Sequence, residues 1–171
     1  LSPPRLRHAV EDEIARTLRA AIEPAKIIAD ARDMRQKLAA QFPSTNRWDL
    51  KFANGGLVDI EFIAQTLELS SAPGNASVLD SNTIAALEKL GAAGLLSAQD
   101  TKTLVAAAYL QHALTQTLRI ALDGTLDPKT ATPGLKGLLV RAAGVEDFAE
   151  LETHLAETQS SVRKIYERVL S

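Results

Sequence analysis

Cysteine is absent from the 171 residues, which excludes a disulfide framework, a thiolate zinc site and a cysteine nucleophile, and makes a reducing compartment the natural setting. Aromatic residues are scarce, at 4% against 46% hydrophobic overall, so the core must be built from Ala, Leu, Ile and Val, the material of helical bundles. No sign of charge dominates: 19 Lys and Arg face 21 Asp and Glu, a formal charge of −2, which provides no overall field for nucleic acid or an anionic membrane. Long apolar runs are also lacking, and the opening Leu1-Ser2-Pro3-Pro4-Arg5 has neither an initiator Met nor a signal-peptide pattern. These absences predict a soluble, cytoplasmic chain with no nucleic-acid or membrane partner, excised from a longer protein.

What is present is helical periodicity. Leu6, Val10, Ile14, Leu18 and Ile22 recur every four residues. Pro24 then demands either a kink or a second helix that uses the proline in its first turn, running to about residue 41. Residues 42–56 read as a connection, with 49–52 as a short extended piece. Helices are expected over 57–70, over 81–90 with Gly91 as the stop, over 98–122 behind a Ser97 capping box, over 135–143 and over 146–170. Six or seven helices, almost no strand and no repeat make residues 1–171 a single all-α domain, an antiparallel helical bundle, with an armadillo-like array as the other architecture.

Chemistry is sparse. His8, His112 and His154 are far apart and form no ligand pair, so no metal site is expected on them. No GxSxG elbow, P-loop or GxGxxG occurs. Residues 49–65, DLKFANGGLVDIEFIAQ, are the informative stretch. On a helix, Ile60, Ile63, Ala64 and Leu67 share one face, Val58, Phe62 and Leu69 cover another, and Glu61, Gln65 and Glu68 leave a narrow polar stripe. This helix is expected to be buried on more than one side.

Asp59 and Glu61 have the spacing of a metal-binding pair, but two residues on a helix diverge by about 200°, so separate roles are expected. The Gly55-Gly56 pair offers either a plain tight turn or backbone N–H groups for an anion, with Lys51 adding charge. Positive charge concentrates in residues 1–51, which hold 10 basic and 7 acidic side chains. There Arg32, Arg35 and Gln36 share one helix face. Such a run is usually a solvated face, the alternative being contact with an anion or an acidic or phosphate-bearing partner.

Met34-Arg35-Gln36-Lys37, Asp49-Leu50-Lys51 and the run from Gly55 to Gln65, in that order and spacing, resemble glutamate-ammonia-ligase (glutamine synthetase) adenylyltransferase. Residues 82–122 resemble the same family's helical domain, so the likeness covers most of the chain. That family has two similar halves, each a nucleotidyltransferase domain followed by a substrate-binding helical domain. One half attaches AMP to a tyrosine of glutamine synthetase and the other removes it, regulating nitrogen assimilation. Val58-Asp59 resembles the C-terminal, adenylylating half, where the other half tends to carry Arg-Glu. The uridylyltransferase of the PII protein has a similar Gly-Gly helix (here 55–70), but its motif departs from Asp59-Ile60-Glu61-Phe62.

The resemblance implies that ATP and Mg serve the full enzyme through aspartates and a Gly-Ser loop of the nucleotidyltransferase domain, neither of which is in this sequence. No catalytic residue is therefore carried over, and the chain alone is expected to be inactive and to bind neither cofactor. Carried over are Lys51, Gly55, Gly56, Asp59, Glu61 and Gln65, as a nucleotide or interdomain face turned toward a nucleotidyltransferase domain of the same chain. Two functions follow: an accessory domain that completes the nucleotide or glutamine synthetase site, or a regulatory bundle that receives PII or relays signals between halves.

Overall fold

A computed structural model describes residues 4–18 and 23–171. These form seven α-helices and one 3-10 turn, with no strand among the described residues: α1 Pro4–Leu18, α2 Pro24–Gln41, α3 Leu57–Ser71, the turn Ala76–Val78, α4 Thr83–Ala92, α5 Ala98–Ala121, α6 Pro133–Ala143 and α7 Phe148–Val169. The expected helical bundle is what is found.

Local chemistry sets the boundaries. Pro24 and Pro133 open α2 and α6, where a missing N–H costs nothing. Ser97 accepts from the Asp100 amide and Asp147 from the Glu150 amide, capping α5 and α7. Three expectations need correction. Residues 49–52 are not extended but a turn, closed by the Ala53 amide on the Asp49 carbonyl and the Phe52 amide on the Asp49 carboxylate. Gly91 does not stop α4. It lies inside the helix, where a Cβ would meet Thr101 Oγ1 at 2.4 Å, and the chain reverses instead at Gly94, whose φ is +72°. The α1 stripe forms as a helix, but Leu6, Val10 and Ile14 are about half exposed rather than packed; Ile22 lies outside the described residues.

The centre of the bundle is α3, which packs against α2, α4, α5 and α7. Burial on several sides, as its wheel requires, leaves Ile60, Ile63 and Ala64 at 1% exposure or less. Each of the two isoleucines contributes roughly 1.5–3 kcal/mol. One apolar cluster joins α3 and α4 to the first half of α5 and the end of α7. A second joins Trp48 and Leu50 to Leu114, Leu118, Leu139, Leu151 and Leu155. The connection 42–56 crosses between them. No described helix is long and apolar enough to cross a membrane.

Candidate functional site

Two aromatic pairs hold the connection 42–56. Phe42 stacks on Phe52 with centroids 4.5 Å apart, and Trp48 stacks on Phe148 at 5.5 Å. Two buried glutamines from the bundle tie down its backbone: Gln159 donates to the Arg47 carbonyl at 2.8 Å and Gln111 to the Gly55 carbonyl at 3.0 Å. Both interrupt apolar stripes, Leu104-Ala107-Ala108-Gln111-Leu114 on α5 and Leu155-Gln159-Val162 on α7. A lone glutamine within such a stripe is the signal that would have singled them out.

Gly55 then turns the chain with φ +76°, pressed so closely on α7 that a Cβ would lie 1.9 Å from the Gln159 carbonyl oxygen. A Cβ on Gly56 would lie 2.8 Å from the carbonyls of Ala53 and Leu50. The glycines are thus demanded by packing. Nor are their amides open to an anion: Gly55 N–H donates to Asp59 Oδ2 at 2.7 Å and Gly56 N–H to the Ala53 carbonyl at 2.8 Å. The next three amides, of Leu57, Val58 and Asp59, donate to Leu50, Lys51 and Gly56. Of the two readings of the glycine pair, the structure bears out the plain tight turn, whose donors are consumed internally.

Asp59 has no exposed surface. Besides the Gly55 amide it accepts from Arg35 Nε of α2 at 2.6 Å and, more loosely, from Arg163 Nη1 of α7 at 3.4 Å. Arg35, 4% exposed, also donates to the Phe52 carbonyl at 3.2 Å. A buried charge persists only when paired and hydrogen-bonded, and Asp59 meets that condition through groups from three elements. Arg163 is a residue the sequence did not single out. It lies over the Tyr166 ring at 4.7 Å and pairs with Glu167 at 2.8 Å. Burial works against its charge, but Glu167 and Asp59 outweigh that and hold its pKa above the ordinary value. Burial also pushes the Tyr166 phenol up, with Asp59 adding to the effect.

The six residues expected on one face occupy different surroundings. Gly55, Gly56 and Asp59 are buried. Lys51 is exposed and lines a cavity with Trp48, Arg119 and Asp123. Gln65 is exposed in a separate apolar cleft with Ile14, Leu18 and Leu69, and Glu61 is half-buried. Glu68, counted in the polar stripe, is 8% exposed and accepts the Asp80 amide at 2.7 Å. Arg32 and Gln36 do share a face with Arg35, but only Arg32 and Gln36 are exposed, so the solvated-face expectation fails for Arg35. His112 and His154 are exposed, and no group of three His, Asp or Glu among the described residues is arranged to hold a metal.

Residues 28–170 match a family model described as GlnD PII-uridylyltransferase. Among curated proteins, the chain is 39% identical over 167 residues to a bifunctional glutamine synthetase adenylyltransferase/adenylyl-removing enzyme of Xanthobacter autotrophicus, covering 98% of this chain and 17% of that protein. It is 40% identical over 148 residues to the enzyme of that description from Bradyrhizobium diazoefficiens, covering 86% and 15%. For Rhodopseudomonas palustris the figures are 38% over 169 residues, 99% and 17%. The chain thus spans about a sixth of the length of these relatives. With residues 28–170 matched by its model, the chain belongs to the GlnD PII-uridylyltransferase family, and the curated relatives it aligns with are glutamine synthetase adenylyltransferases.

Proposed function

We propose that this chain is a non-catalytic helical domain of a cytoplasmic enzyme that adenylylates and deadenylylates glutamine synthetase, and that it helps form the nucleotide or protein-substrate site. Nearly the whole chain aligns with about a sixth of enzymes named for those two activities, and that alignment carries the reading. Catalysis, ATP and Mg belong to a nucleotidyltransferase domain outside these residues, and the chain by itself transfers no AMP. The Asp59 cluster holds the 49–56 turn rigid, and Lys51 stands exposed on that turn. Its ammonium, with no ion pair among the described residues, is the group we assign to nucleotide phosphates in the assembled enzyme.

The test is AMP transfer to glutamine synthetase by a separately expressed nucleotidyltransferase domain, with magnesium and ATP, with and without this chain. Restored transfer on addition supports the reading; no effect, once the two pieces are shown to associate, overturns it. In the intact enzyme Lys51→Ala should impair adenylylation while leaving stability within about 0.5 kcal/mol. Normal turnover would remove Lys51 from the site.

A second reading has its own observation. Gly55, Gly56 and Asp59 are buried, which favours a regulatory bundle in which the motif is only the core and another surface receives PII or relays signals between catalytic halves. Direct binding of PII to this chain, without any gain in AMP transfer, would select it.

A further inference from the structure

Between α2 and α7 lies a cavity of about 330 Å³ lined by Arg32, Arg35, Gln36, Asn54, Arg163 and Tyr166, with Glu167 and the last two residues at its edge. That volume lies at the small end of ligand sites. Three guanidinium groups converge on it, against two carboxylates in contact with them, Asp59 and Glu167. Asp59 is fully buried behind Arg35. Glu167 is held by Arg163 Nε. Arg32 has no carboxylate partner among the described residues and donates only to the Leu170 carbonyl, from Nε at 2.9 Å and from Nη2. Among the side chains, one positive charge is therefore left over.

The donor count points the same way. Each guanidinium has five N–H groups, and the bonds formed among the described residues use two nitrogens of each: Nε and Nη2 of Arg32, Nε and Nη2 of Arg35, and Nε and Nη1 of Arg163. One terminal nitrogen of each remains for a further acceptor. Asn54 and Gln36 add neutral donors at the same cavity. Donors arriving from two helices and a turn do not suit a planar carboxylate, which takes one fork, as well as a tetrahedral oxyanion.

We propose that this cavity binds the phosphate group of a small ligand, with Arg32 and Arg163 as its principal contacts and Arg35, fixed by Asp59, as its floor. The site stands apart from Lys51 and does not rest on the adenylyltransferase reading.

Inorganic phosphate titrated into the 171-residue chain at constant ionic strength, followed by the Nε–Hε resonances of the arginines, tests it. The expected result is saturable shifts of Arg32 and Arg163 in the millimolar range, with acetate at equal ionic strength giving none. Gln36→Glu, an exposed change that places a negative charge at the cavity, should weaken phosphate binding by about tenfold with the fold intact. Arg32→Gln should do the same. Absence of shifts, an equal response to acetate, or unchanged phosphate binding in folded Gln36→Glu each overturns the proposal.

Discussion

Asp59 Oδ1 accepts from Arg35 Nε at 2.6 Å across 24 residues of sequence, with both side chains almost wholly removed from solvent. The other carboxylate oxygen holds the Gly55 amide, so one side chain joins α2, the turn before α3 and, through Arg163, α7.

Breaking that pair strands a buried guanidinium. Asp59→Asn keeps an acceptor for the Gly55 amide but removes the charge that Arg35 requires, and a loss of about 3 to 5 kcal/mol is expected. Urea denaturation measures it; a loss below about 1 kcal/mol would mean that Arg35 finds water or another partner.

Gly55→Ala forces a side chain into left-handed backbone and within 1.9 Å of the Gln159 carbonyl oxygen. Strain and overlap together should cost about 3 kcal/mol or more. A thermal midpoint equal to that of the parent would refute the close approach of the turn to α7.

Gly91→Ala separates packing from helix propensity. Alanine in mid-helix gains about 1 kcal/mol over glycine, yet here its Cβ would sit 2.4 Å from Thr101 Oγ1. A net loss of about 1 kcal/mol is expected, and Thr101→Ala should reverse it, because the two residues touch. Additive effects of the two changes in a double-mutant cycle would contradict the contact.

Glu68 is raised above its ordinary value of 4.5 by burial, although the bond from the Asp80 amide opposes that shift, Asp80 adds to it and Lys89 opposes it. The folded chain therefore holds this proton more tightly than the unfolded one, and the contribution of Glu68 to stability falls as pH rises through 4.5 and beyond. Glu68→Gln removes the titration. Its stability relative to the parent should be constant well below pH 4.5 and should increase above it; a difference independent of pH would show that burial does not govern this carboxyl.

Much of the fold is legible in the residues because the relevant forces are local. Ser97 and Pro24 mark helix starts through bonds made or waived within one turn, whereas Pro133, read as loop, opens α6 two residues ahead of its expected start at 135. The wheel of residues 57–70 foretells a helix buried on several sides, and the divergence of Asp59 and Glu61 on it matches the burial of the first and the half-burial of the second. The site was less legible. Lys51, Glu61 and Gln65 share a motif with Asp59 but not a surface, since adjacency in sequence says nothing about which neighbour covers each side chain.

The sequence by itself determined the helical class, the placement of most helix ends and the family likeness, all of which depend on composition and short-range pattern. Only the tertiary structure decided that Gly55 and Gly56 serve packing rather than anion binding, that Asp59 is the buried partner of Arg35 and Arg163, and that α1 keeps its apolar stripe half exposed. The physical reason is range. Periodicity identifies the face a residue occupies on its own helix, whereas the partners of a buried charge come from α2 and α7, and the space beside Gly55 is set by α7, more than a hundred residues further along the chain.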